Sequence, residues 1–162
     1  RTICMHASCG PRRSQSVASM VSELRPDRAV HWVTGTSAPC VSLFKPFVFG
    51  AATPPFGPSP TDRADTASLW WRHEALHRAA LPDFTAALAA IAPERDALEA
   101  GFQAQIDASP AGEALDAAIA ACWAEAEAAE ARWRRTLAPS IREPARQRAS
   151  WARLNHVAGF TV

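Results

Sequence analysis

Residues 51–62 read Ala-Ala-Thr-Pro-Pro-Phe-Gly-Pro-Ser-Pro-Thr-Asp, with four prolines and one glycine. Proline lacks the backbone N–H and fixes φ, so neither a helix nor a central strand can run through this stretch. The chain is thereby divided. Residues 1–50 are mixed and β-leaning, whereas residues 63–162 are rich in Ala, Glu and Arg and helix-leaning. Strands first and helices afterwards make the expected class α+β. No internal repeat is visible.

The helical part divides at its own punctuation. Thr66 or Ser68 can cap a helix running to about Ala80. Pro82 and Pro93 each suit the first turn of a new helix, where a missing N–H costs little. Leu98, Phe102 and Ile106 recur every four residues and define one helical face. Ser109-Pro110 has the form of a cap with proline at the first helical position. The helix that follows, to about Leu137, carries the stripe Leu115, Ile119, Cys122, Ala126, Ala129, Trp133 and Leu137 in steps of four or three, the pattern of a buried seam. Glu130 and Arg134 stand four apart in the favourable order on this helix. A last helix over 144–156 ends near Gly159, a left-handed cap.

The first fifty residues admit two readings. Val17, Met20, Val21 and Leu24 are spaced as on a helix. Yet Arg25-Pro26-Asp27-Arg28 is good turn chemistry, and Ala29-Val30-His31-Trp32-Val33-Thr34 is strand-like, so a hairpin competes. Val41–Phe49 reads as a further strand, with Pro46 marking an edge or a bend.

Composition narrows the function. Seventeen basic residues against sixteen acidic ones leave a formal charge of +1, which argues against general nucleic-acid binding. No apolar run has the length of a membrane span. The start lacks a secretion signal, so the expected compartment is the cytoplasm. Cys4, Cys9, Cys40 and Cys122 are too few and too irregular for the disulfide framework of a small secreted module. Lys45 is the only lysine among many arginines, a bias of the coding sequence rather than of the chemistry. The chain opens at Arg1, directly on the strand-like Thr2-Ile3-Cys4-Met5, which reads as a cut into a larger domain.

Three groups of residues have the form of sites. His73-Glu74-Ala75-Leu76-His77 matches His-Glu-x-x-His, in which two imidazoles on one helix face hold zinc and the glutamate polarises a bound water. Glu94 or Glu99 could supply a third ligand. The competing reading has His73 and His77 packing or hydrogen-bonding beside Trp70 on a partly buried face. Cys4, His6 and Cys9 form a Cys-x-His-x-x-Cys cluster that matches no familiar zinc spacing, so small buried cysteines are the simpler reading. Cys40 could be a nucleophile, but no base stands near it in sequence. Of the adjacent Trp70 and Trp71, one is expected in the core and the other at its edge.

Taken in order, Cys4-Met5-His6-Ala7, Arg13-Ser14-Gln15, Ser19–Leu24, His31–Cys40, Phe44-Lys45-Pro46, Leu69–Glu74 and Leu76-His77-Arg78 resemble the C-terminal half of the secernin family, relatives of the cysteine-type dipeptidases. The resemblance spans residues 3–78; residues 79–162 fit the family's tail only in general character. It implies an N-terminal-nucleophile (Ntn) hydrolase, two antiparallel sheets stacked between helix layers (αββα), of which residues 1–162 are the C-terminal part of one domain. It implies a strand over Ser16–Leu24 paired with Ala29–Thr34. It also implies that the Trp-Trp-Arg-His-Glu block is a helical signature rather than a metal site. The cysteine nucleophile would lie upstream, since Arg1 offers neither thiol nor hydroxyl, and the chain alone would be inactive. Arg12, Arg13 and Gln15, in a loop between strands, become candidates for substrate or oxyanion contact. The expected partners are the missing N-terminal half and a small peptide or acyl-amide substrate, with no cofactor, nucleic acid or membrane. Animal secernins are associated with regulated secretion, so a non-catalytic interaction protein is the alternative, and a zinc peptidase built on His73, Glu74 and His77 is another.

Overall fold

The computed structural model describes residues 4–7, 14–137 and 141–160. Three strands, β1 (Met20–Leu24), β2 (Ala29–Val33) and β3 (Lys45–Phe47), form an antiparallel sheet in the order β1-β2-β3. Four helices follow: α1 (Leu69–Ala80), α2 (Phe84–Ala108), α3 (Glu113–Thr136) and α4 (Ala145–Ala158). The fold is α+β, with the irregular proline-rich connection between the two parts, as its composition requires.

The hairpin wins over the helical spacing of residues 17–24. Met20 pairs with Val33, Ser22 with His31 and Leu24 with Ala29. The strand is shorter than the expected Ser16–Leu24, although Ser16 and Ser19 still bond the backbone of Ala38 and Thr34. Arginines secure the turn. Arg28 donates to the carbonyls of Ser109 (2.8 Å) and Ile106 (2.6 Å), and Arg25 reaches Asp107 at 2.7 Å. These groups sit at the negative end of α2, so cations belong there.

The expected strand Val41–Phe49 is cut to three residues. Pro39–Val41 is instead a turn of 3-10 helix, closed by the Ser42 N–H on the Pro39 carbonyl. The Phe44 N–H is drawn away to the Glu99 carboxylate at 3.0 Å. Pro46 sits on an edge strand, where its missing donor is harmless. Its carbonyl accepts the Trp123 indole N–H at 2.8 Å and ties β3 to α3.

Two helix boundaries differ from the reading of the sequence. Pro82 lies in a 3-10 turn that leads into α2, but Pro93 lies inside α2. Ala87, Ile91, Phe102 and Ile106 are buried on both sides of it, and this continuous packing outweighs the one backbone bond that proline removes. Ser109 ends α2 rather than starting α3. Its hydroxyl returns to the Gln105 carbonyl, and α3 begins after Gly112, whose φ of 95° suits glycine.

The seam on α3 is buried as its spacing requires. Leu115, Ile119, Cys122, Ala126, Ala129 and Trp133 all lie in the core, with Leu137 packed at its margin. They meet Val30 and Leu43 from the sheet side and Leu76, Ile91 and Phe102 from α1 and α2. Trp71 is buried while Trp70 is half-buried. Gly159 closes α4 in the left-handed conformation at φ 66°. Among the described residues, no helix is long and apolar enough to cross a membrane.

The sheet has two unlike faces. Val30 faces the helices and is fully buried. On the opposite face Met20 is 64% exposed and Leu24 79% exposed, and alternation along β1 places both on one side with Ser22. His31, opposite Ser22 in the register, packs edge-on against Phe49, which is itself 76% exposed and touches Phe47. This face carries exposed Met20, Leu24 and Phe49 around the hydrogen-bonded Ser22–His31 pair.

Ile119→Ala should lower stability by about 2–5 kcal/mol, because the cavity forms between α3 and fixed neighbours. The urea midpoint is the measurement. Gly57→Ala should also destabilise, since Gly57 has φ 71° and a Cβ there would drive into the Ala67 carbonyl.

Candidate functional site

Among the described residues, the buried face of α1 carries a dense cluster of polar groups. His73 and His77 are fully buried, one helical turn apart, and Glu74 is 4% exposed. His73 Nδ1 lies 3.0 Å from Glu130 Oε2 on α3. His77 Nδ1 lies 3.1 Å from Glu74 Oε1. Glu74 Oε1 also accepts the Ser37 hydroxyl, and its Oε2 accepts Arg78 Nε at 2.8 Å. Glu130, placed by sequence spacing beside Arg134, turns inward instead: it takes His73 and the Ser42 hydroxyl.

Electrostatics follow from this wiring. Burial alone would raise the Glu74 carboxyl, but His77, Ser37 and Arg78 together override it and hold it at about 2. Burial opposes ionisation of Glu130 too, and His73 with Lys45 carries it well below the usual carboxylate range. Lys45, 2% exposed, is lowered by burial against the pull of Glu130 and Glu99. Its ammonium donates to the Leu43 carbonyl at 2.7 Å and stands 5.4 Å from the centre of the Trp123 ring. Lys45 and Glu130 form part of the wall of a cavity of about 220 Å³ between α1 and α3 that also includes Arg72 and Trp123.

Arg78 extends the network to α4. Its guanidinium donates to the Asn155 side chain and lies between Trp71, Trp151 and Phe160, 5.0–5.5 Å from the three ring centres. The planar cation thus serves a carboxylate and three aromatic rings at once.

A zinc peptidase needs a glutamate free to polarise water, and Glu74 is engaged on both oxygens. The third ligands considered lie elsewhere. Glu94 bonds Arg132 and the Trp133 indole, and Glu99 holds the Phe44 backbone. His73 and His77 belong to a hydrogen-bonded helix face, although Nε2 of each is buried without a partner.

Arg12 and Arg13 lie outside the described residues, as does Cys9. Gln15 is described: its Oε1 accepts the Ala7 N–H at 2.8 Å, while its Nε2 is buried and unpartnered. With Ser16, whose hydroxyl takes the Met5 N–H at 2.9 Å, it fixes the segment 4–7.

That segment supplies a grouping the sequence conceals. Cys4, His6 and Cys40 place their ligand atoms within 4.8 Å of one another. Cys40 Sγ and His6 Nε2 are 3.4 Å apart, so the base absent from the local sequence around Cys40 is present in space. It does not make Cys40 a reactive thiolate. Burial, with Cys4 beside it, pushes the Cys40 thiol up to about 12.

The chain matches no known protein-family model, and no match was found among curated proteins or solved structures.

Glu74→Gln should cost about 3 kcal/mol near neutral pH, because it leaves His77 and Arg78 without their anion. The depressed Glu74 carboxyl contributes stability that is complete above its unfolded value near 4.5 and is lost as pH falls toward 2. Thermal melts between pH 6 and 2 should therefore drop more shallowly for Glu74→Gln than for the parent chain.

Proposed function

We propose that this chain is the C-terminal part of a secernin-like amidohydrolase that cleaves peptide or acyl-amide bonds, its nucleophile being an N-terminal cysteine upstream of Arg1. The observation that carries this reading is the two-faced sheet. Helices pack on Val30 from one side, and the other presents Met20, Leu24 and Phe49 to solvent. An αββα sandwich needs a sheet of this kind, with the bare face closed by a second sheet and β1 free to extend the first.

In such an enzyme the cysteine's own α-amino group serves as base, suited by an ordinary pKa of about 7.7–8.0. The thiolate attacks the amide carbonyl, donors nearby hold the oxyanion, and water releases the acyl group. Residues of this chain would form the supporting half. Gln15, with an unpartnered buried amide nitrogen, is the described candidate for contact with substrate or oxyanion, alongside Arg12 and Arg13. The buried network around Glu74 and Glu130 holds the sheet loop against the helices.

The test restores the upstream gene segment. The extended protein, processed to an N-terminal cysteine, should hydrolyse dipeptides or acyl amides, and the present chain alone should not. A processed but inert protein defeats the hydrolase reading and leaves the non-catalytic interaction role. A second measurement addresses the sheet. The isolated chain should be marginally stable and prone to aggregate, and Met20→Lys with Leu24→Lys should raise its solubility while abolishing assembly with the separately expressed upstream half. A sharp cooperative melt of the unmodified chain as a soluble monomer counts against the covered face.

A further inference from the structure

Cys4, His6 and Cys40 come from two stretches of chain that share no local spacing, yet three ligand-type atoms meet within 4.8 Å. In a tetrahedral zinc site with Zn–S of about 2.3 Å and Zn–N of about 2.0–2.1 Å, a sulfur and a nitrogen ligand are separated by roughly 3.5 Å. Cys40 Sγ and His6 Nε2, at 3.4 Å, already have that separation.

His6 and Cys40 are each held by something other than their neighbours in the cluster. Ser16 and Gln15 bond the backbone of Met5 and Ala7, on either side of His6. Gln147 on α4 donates to the Ala7 carbonyl at 3.0 Å. The His6 ring packs edge-on against Phe84, 4.7 Å between centres. Cys40 sits in the 3-10 turn, with its carbonyl clamped by Arg95 at 2.7 Å. Held groups of this kind cost little further ordering on binding an ion.

We infer that Cys4, His6 and Cys40 form a binding site for one zinc ion. Two thiolates and an imidazole are the donor set of a borderline-soft ion, which excludes magnesium and calcium. Three protein ligands leave a fourth position for water or one more donor. On binding, the two thiols lose their protons to solvent and form two zinc–sulfur bonds, with no change of oxidation state. The ion would tie the segment 4–7 to the sheet loop, a structural role that stands whether or not the parent protein hydrolyses amides.

The test is metal content of the full chain, purified with a reductant and zinc and then dialysed, by elemental analysis. About one zinc per chain is expected, falling at least tenfold in Cys4→Ser, Cys40→Ser and His6→Gln. His6→Cys, which keeps a ligand at that position, should retain the ion and so separate ligand loss from misfolding. Cobalt in place of zinc should give a thiolate-to-cobalt charge-transfer band that disappears with either cysteine. His73→Gln should keep its zinc, whereas loss there with retention in Cys40→Ser would move the ion to the His-Glu-x-x-His motif and overturn the assignment. So would a zinc-free reduced chain, or one that yields only a Cys4–Cys40 disulfide when the reductant is removed.

Discussion

Glu74 and Glu130 carry negative charge into the interior, and much of the polar architecture is arranged to meet it. A buried carboxylate is tolerable only when its charge is balanced and its lone pairs are filled. Glu74 draws in Ser37 from the sheet loop, His77 from its own helix and Arg78. Glu130 draws in His73 across the helix interface and Ser42 from the same loop. The two anions therefore fasten three separate parts of the chain: α1, α3 and the segment between β2 and β3. Apolar contacts could hold these parts together in several registers. Hydrogen bonds to two fixed carboxylates permit fewer.

Arg78 shows how the same constraint spreads. Its nitrogen serves Glu74, so its plane is fixed, and the aromatic rings of Trp71, Trp151 and Phe160 are placed around that plane. The last helix has little buried apolar surface of its own, Ala158 being its one buried residue among those described. Its attachment depends on Arg78, on Asn155 and on the backbone bond from Ala64 to the Ala158 carbonyl. A short amphipathic helix with so small an apolar face is docked mainly by polar and cation–π contacts.

Periodicity made the core of α3 legible, because a stripe in steps of three and four has one structural solution in a helix of that length. At Val17–Leu24 the helical spacing competes with the turn chemistry of Pro26 and Asp27, and the paired strand expected there forms over Met20–Leu24. Pro93 was read as a boundary because its local cost is known, while the compensating burial of Ile91 and Phe102 comes from α3, far along the chain. Glu130 was legible in principle. It lies between Ala126 and Ala129 on one side and Trp133 on the other, so its helical position already points inward, and only its charge suggested a surface pair. The Cys4–His6–Cys40 grouping was not legible, since spacing along the chain says nothing about where a loop 34 residues later will return.

The segment that carries Cys4 and His6 is short of ordinary reasons to be ordered. Met5 is 54% exposed, and the backbone of the segment is held by bonds from Gln15, Ser16 and Gln147, with the His6 ring on Phe84. A few such bonds contribute about 1 kcal/mol each, against a similar backbone entropy for every residue fixed. Polar bonds alone thus leave the segment near balance. Zinc shared between this segment and Cys40 would tip that balance through ligands the fold has already brought together. Whatever fixes residues 4–7 also holds the neighbouring Gln15 side chain, whose Oε1 accepts the Ala7 N–H.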